Sequence, residues 1–207
     1  MIDYLLRYPD KLLKAFTEHM EIVVISLVIS IVFAAILTII ASYSKTISKL
    51  LLNMFAVIYS IPSLALFAIL VPLTGLGKDT AIIVLVFYNQ YLLLRNILDG
   101  FNNVEPSIIE AATGMGMSKS QILFKVRLPL SAKPIFAGIH LAVVSSIGIA
   151  TIAASINAGG IGRILLDGLR TLNTSKILWG TLMSAGLAIL ANELFNIIEK
   201  KIGCKWE

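Results

Sequence analysis

Residues 99–134 read DGFNNVEPSIIEAATGMGMSKSQILFKVRLPLSAKP, a polar stretch too long and too patterned to be a plain connection between two apolar runs. Pro106 suits the first position of a helix, because its missing N–H is one of those a helix start leaves unpaired anyway. Ile108, Ile109 and Ala112 form a small apolar face before Gly114 and Gly116 break that helix. Ser118 followed by Gln121 has the form of a capping box opening a second helix, which carries Ile122, Leu123 and Val126 and is expected to end before Pro129. The stretch therefore reads as a short helical hairpin. Its apolar side chains would be costly in water unless a partner groove covered them.

On either side of the hairpin the chain is strongly apolar. Of its 207 residues 57% are hydrophobic and only 14% charged, and the mean hydropathy is +0.90, well above what soluble domains need. Runs over 22–42, 50–73, 81–97, 135–156 and 177–198 are each long enough to cross a hydrocarbon slab roughly 30 Å thick. The fold class expected is all-α: a polytopic membrane protein with five transmembrane helices. Five crossings put the two ends on opposite sides. With the N-terminus outside, Lys45, Lys49, Arg95, Lys119, Lys125, Arg127, Lys133, Lys200, Lys201 and Lys205 lie inside. Arg7, Lys11, Lys14, Lys78, Arg163, Arg170 and Lys176 then lie outside, a modest positive-inside bias. The densest part, Lys119, Lys125, Arg127 and Lys133, flanks the hairpin and makes it cytosolic with the C-terminus.

The net charge of +5 comes from short loops and implies contact with anionic lipid headgroups. No basic stripe with interleaved aromatics points to nucleic acid. Asp3, Asp10, Glu18 and Glu21 precede the first apolar run in place of a basic leader, so the N-terminus is expected to stay in the mature chain. Residues 1–20 carry Leu5, Leu6, Leu12, Leu13, Phe16 and Met20 at helical spacing and read as an interfacial amphipathic segment interrupted at Pro9, leaving 21–207 as the permeating domain with a loop over 100–133. Cys204, the single cysteine, has no internal partner and sits among lysines in what reads as a reducing compartment.

Several features inside the spans are candidates for a path. Tyr59, Ser60, Pro62 and Ser63 mark a proline break in the second span, either a gate or a packing kink. Span four carries Gly138, Ala142, Ser146, Ala150 and Ala154, and span five carries Gly180, Ser184, Ala188, Asn192 and Asn196. Both are small-residue faces at four-residue spacing, suited to close helix packing, a subunit interface or a pore lining. Asn89 and Gln90, between Tyr88 and Tyr91, offer a weakly polar route with rings a cation can sit over; interhelical hydrogen bonding is the alternative. Asn157, Gly159 and Gly160 belong to a glycine-rich turn at the outer face, where it could meet a docked protein or narrow the exit. Arg95 and Glu193 lie near span ends and can snorkel, and His140 is expected to face neighbouring helices.

Within the hairpin, Glu110-Ala111-Ala112, three residues, Gly116, nine residues, Val126, one residue and Leu128-Pro129 resemble the coupling-loop motif of ABC importer permeases, EAA-x3-G-x9-I-x-LP, with Val126 where Ile is usual. The resemblance runs from about Glu21 to the end. It implies a type I importer fold in which the loop docks on a nucleotide-binding subunit, with Glu110, Ala111, Ala112 and Gly116 in the ATPase groove. It further implies alternating access driven by ATP and Mg on that partner, a second permease copy or homologue, and an external binding protein. No cofactor, metal site or catalytic residue is expected in this chain, and no GxxxxGK[ST] phosphate loop occurs. The stretches 60–65, 75–77 and 157–162 look like the permeases for glycine betaine, choline and carnitine in a bacterial cell membrane. A methionine-type importer, or one for a betaine-like thiol compound, is the alternative cargo reading. An ion-coupled carrier or channel is the alternative class, disfavoured by the lack of mid-membrane charge.

Overall fold

The computed structural model describes residues 2–203, so Cys204 and Lys205 lie outside the described residues. In chain order the helices are α1 (Ile2–Arg7), α2 (Pro9–Ser42), α3 (Lys45–Ser60), α4 (Ser63–Thr74), α5 (Lys78–Asn102), α6 (Pro106–Gly114), α7 (Lys119–Ile122), α8 (Leu128–Leu130), α9 (Ala132–Ile152), α10 (Ile161–Arg170) and α11 (Thr174–Gly203). No strand occurs among the described residues. α2, α5, α9 and α11 are each long and apolar enough to cross a membrane, and α3 with α4 supplies a fifth crossing if the bent pair is counted as one.

α5 is the hub. Its buried residues cover the whole helix circumference, from Thr80 through Leu85, Asn89 and Leu94 to Phe101, because α2, α3 and α9 pack around it. Close approach rests on small residues. On α2 Ser26, Ser30, Ala34 and Thr38 recur every four residues on the buried face. On α9 Gly138, Ala142, Ser146 and Ala150 do the same. A Cβ at Gly138 would come within 2.8 Å of Asn96 Cβ, and one at Gly180 within 2.9 Å of the Leu165 backbone nitrogen. In lipid, where apolar burial does not drive helices together, such contacts and polar bonds across helices hold the bundle.

Two expectations are corrected. Residues 9–20 are not set apart from the first span: the chain is interrupted at Tyr8 and Pro9 as expected, between α1 and α2, but α2 then runs unbroken from Pro9 to Ser42. Part of its apolar face is covered by protein, Leu12 and Ala15 being buried against Ile164 of α10 with Trp179 and Met183 alongside, while Leu13 and Phe16 are exposed. The expected break in the second span is present, with α3 and α4 meeting at 98°. Pro62 drives Ile61 out of the helical region to φ −70°, ψ 130°, and is itself extended at φ −55°, ψ 135°, so two successive residues turn the chain. The second hairpin helix does not stop before Pro129 either. A wide π-turn over Leu123–Arg127 leads from α7 into α8, where Leu128 N–H bonds back to the Leu123 carbonyl, and this shifted register accommodates the proline without ending the helix.

At the other end of the bundle the chain passes from α9 through a 3₁₀ turn, Ala153–Ile156, into a turn whose Asn157, Gly159 and Gly160 all have positive φ. Gly162 then packs against the Thr151 carbonyl so tightly that no Cβ fits. Gly162→Ala should lower the detergent melting temperature of the chain, with overpacking strain of about 1–3 kcal/mol. Gly186→Ala, where nothing lies within 4 Å, should leave it unchanged, as thermal unfolding followed by tryptophan fluorescence would register.

Candidate functional site

The hairpin is built by its own backbone chemistry. Pro106 opens α6 at its first turn, and Ser107 Oγ donates to Glu105 Oε1 at 2.6 Å. α6 closes on Gly116, whose φ of +78° lets Gly116 N–H bond the Thr113 carbonyl and Met117 N–H bond the Ala112 carbonyl. That is a left-handed helix stop, in which glycine is needed for its φ and not for space, since a Cβ there would meet nothing within 4 Å. Gly114, by contrast, is the last residue of α6 and does not break it. Ser118 and Gln121 form the full capping box: Gln121 N–H donates to Ser118 Oγ at 3.3 Å, and Ser118 N–H to Gln121 Oε1 at 2.7 Å.

The face this hairpin presents differs from the one its sequence suggests. Ala112 is buried and Ile109 half-buried, both turned toward the rest of the chain. Ile108, Ala111 and Met115, at i, i+3 and i+7, form the exposed apolar line instead, with Glu110 exposed beside it and Met115 at the tip 75% exposed. Ala112 therefore packs on the inner side of the hairpin. Val126 and Pro129 are half-buried and Leu128 is exposed, on the segment that joins the hairpin to α9. There Gly100 allows the chain to close, since a Cβ would lie 2.6 Å from Pro134 Cγ. That contact fixes the last turn of α5 against the first turn of α9 at the base of the hairpin.

Of the residues expected along a path, the structure brings together those at the broken span. Tyr59 packs edge-on to Tyr88 with ring centroids 5.5 Å apart and against Tyr91 at 4.9 Å. Tyr88 O–H donates to the Ile61 carbonyl, satisfying a backbone acceptor freed by the break. Ser60 and Pro62 are exposed, and Ser63 half-buried, next to this cluster. Arg95 caps it, its Nη1 donating to Tyr91 Oη at 2.6 Å and its Nε 3.8 Å from Asp99.

Asn89, Gln90 and Ser146 sit elsewhere. All three are buried inside this chain's own bundle. The Asn89 amide donates to Ser30 Oγ at 3.2 Å and to Ser146 Oγ at 3.0 Å, and Gln90 Nε2 donates to the Ser30 carbonyl at 3.1 Å. They tie α2, α5 and α9 together rather than lining an open route. Gly159 and Gly160 are also buried, under the N-terminal part of α2: Gly160 N–H donates to Glu18 Oε2 at 3.1 Å, and a Cβ on Gly160 would meet the buried His19 ring at 3.1 Å. Asn157 alone of that turn is exposed. His140 faces a neighbouring helix as expected, stacked on Phe195 at 5.0 Å. Sequence reasoning missed Glu18 and His19 as clamps on the turn, and it missed the small-residue stripe on α2, although that stripe's spacing is plain in the sequence.

Gly116→Ala should strain the helix stop by about 1–2 kcal/mol and raise amide exchange across residues 106–117. Gly114→Ala, at an ordinary helical position, should leave exchange unchanged or slower, which hydrogen exchange with mass spectrometry would resolve.

Residues 26–203 match the family described as binding-protein-dependent transport system inner membrane component. Over 203 residues, covering 98% of this chain and 91% of the relative, the chain is 31% identical to the carnitine transport permease protein OpuCD of Listeria monocytogenes serotype 1/2a (strain 10403S). Over 169 residues it is 33% identical to the ergothioneine transport permease/ergothioneine binding protein EgtU of Helicobacter pylori (strain G27), covering 82% of this chain and 31% of that longer protein. Its fold superposes on an inward-facing structure of the MetNI methionine ABC transporter with a TM-score of 0.82 at 20% identity, covering 92% of this chain and 95% of that one. The chain belongs to the family of inner-membrane permease components of binding-protein-dependent ABC importers, and is a transport subunit rather than an enzyme.

Proposed function

We propose that the chain imports a quaternary-ammonium osmoprotectant of the glycine betaine, carnitine and choline class, a small molecule carrying a trimethylammonium group, by alternating access driven by a partner ATPase. The observation that carries the mechanism is the exposed line Ile108, Ala111 and Met115 with Glu110, an apolar strip that water does not favour and a helix-in-groove contact would cover. The hairpin end faces the cytosol and the N-terminus the exterior. ATP and Mg act on the ATPase, whose closure pushes α6; the rigid join at Gly100 and Pro134 passes the motion to α5 and α9. Two permeases, two copies or this chain with a homologue, enclose the route between them.

The route runs past the broken span. Half-buried Tyr59, Tyr91 and Ser63 with exposed Ser60 and Pro62 form a polar and aromatic face of α3, α4 and α5, a surface poorly suited to lipid and compatible with passing a cation over ring faces, each contact favourable by about 0.5–2 kcal/mol. Tyr88 holds the break open from behind. Carnitine, in the name of one relative, is a betaine, which favours that cargo class. The second relative's name favours a second cargo of the same chemistry, ergothioneine, a thiol-bearing betaine.

The test is uptake into proteoliposomes holding the permease, its ATPase and external binding protein, with radiolabelled carnitine, glycine betaine, choline, ergothioneine and methionine offered in turn. ATP-dependent uptake of a trimethylammonium compound supports the reading, and the compound taken up at the lowest concentration names the cargo. Uptake of methionine alone overturns it. In the same vesicles Glu110→Lys should cut uptake at least tenfold, a loss of about 1.4 kcal/mol of coupling, while the complex's ATPase continues; full uptake would refute docking through this face.

A further inference from the structure

At the end of the bundle opposite the hairpin, α2 and α10 flank an open cavity of about 520 Å3. Four cations line it, Lys11, Lys14, Arg163 and Arg170, against two carboxylates, Glu18 and Asp167. Both carboxylates are already engaged. Glu18 accepts Gly160 N–H, and Asp167 accepts Lys176 Nζ at 2.5 Å, a hydrogen bond that holds its carboxyl below the usual range. Lys11 lies 4.4 Å from the Tyr8 ring centroid. Among the described residues no carboxylate comes within ion-pair distance of Lys14, Arg163 or Arg170. The cavity mouth is therefore a concave positive site that the chain itself leaves unbalanced, of the kind that draws an anionic partner.

Height above the membrane separates the possible partners. Lys14 and Lys11 precede Ile22, where the apolar run begins, by roughly 12 and 16 Å along the helix at 1.5 Å per residue. The headgroup layer beyond the hydrocarbon is only about 5–8 Å deep on each side. Phosphates of a flat bilayer thus lie below the backbone of these lysines, within reach only of side chains bent toward the membrane, whereas a soluble protein reaches the whole cavity mouth. The clamp of Glu18 and His19 on the turn after α9 also makes the cavity wall continuous with a membrane-crossing helix. A load placed on the cavity is thereby delivered to α9.

We propose that this cavity is the socket for an acidic surface loop of the external binding protein, with its carboxylates seated among Lys14, Arg163 and Arg170. The proposal rests on the orientation and binding-protein dependence given above. It places recognition of the loaded binding protein on the N-terminal arm of α2 and on α10, with Asn157 the member of the glycine turn that lines the cavity while Gly159 and Gly160 are covered.

The experiment uses the full complex in proteoliposomes, with the binding protein titrated outside at several salt concentrations. Compared with the unaltered complex, Lys14→Gln with Arg163→Gln, which remove charge but keep polar side chains, should raise the half-saturating concentration of binding protein about tenfold and flatten its salt dependence. The double charge reversal Lys14→Glu with Arg163→Glu should shift it further, while ATPase activity without binding protein stays unchanged. Half-saturation and salt dependence equal to those of the unaltered complex overturn the socket. So does a shift that appears only in vesicles containing phosphatidylglycerol, which assigns the cavity to lipid. If the unaltered complex needs no binding protein for uptake, the functional reading itself fails; if it needs one and the variants behave identically, the socket alone fails.

Discussion

The Asn89 side chain holds the bundle together: one amide, buried where water cannot reach, donates to hydroxyls on two other helices. In hydrocarbon an unpaired amide would be costly, so α2 and α9 must stay where Ser30 and Ser146 meet it. The small residues every four positions on both helices let the backbones come near enough for those bonds to form. From that fixed core the mobile and exposed parts extend in two directions, the hairpin at one end and the arm with α10 at the other.

The two ends are connected by construction. Gly100 against Pro134 locks the hairpin to the ends of α5 and α9, and Gly160 under Glu18 and His19 locks the far end of α9 to the arm of α2. Between them lies the break at Ile61 and Pro62, whose freed carbonyl is held by Tyr88 on the hub helix. In the proposed mechanism a push on the hairpin is passed to α5, which carries Tyr91 of the proposed route and packs against Tyr59 of α3. Rigid junctions at the ends with a single break between them suit a subunit that rocks as a body.

Much of this was legible in the sequence because it depends on local chemistry. The spans follow from length and hydropathy, the proline break from a missing donor, and the start, stop and second helix of the hairpin from Pro106, Gly116 and the Ser118–Gln121 box. The packing of α9 and α11 was legible as faces of small residues. What escaped depends on partners far along the chain. Glu18 and Gly160 are 142 residues apart, and neither position signals the other. The amphipathic arm looked like a membrane-surface helix because sequence reports an apolar face without saying what covers it; here α10 covers part of it. The inward turn of Ala112 and the outward turn of Ala111 and Met115 likewise depend on where α7 lies, and the angle at the break depends on Tyr88 reaching across.

The central claim is that the exposed line of α6 engages the ATPase, and site-directed cross-linking tests it most directly. With Cys204 replaced by serine, single cysteines at Met115, Ala111, Ala112 and Asn157 would be probed in the intact complex with a short bifunctional reagent. The account predicts cross-links to the ATPase from Met115 and Ala111, and none from buried Ala112 or from Asn157 at the opposite end. Efficient cross-linking from Ala112 with none from Met115 would contradict it.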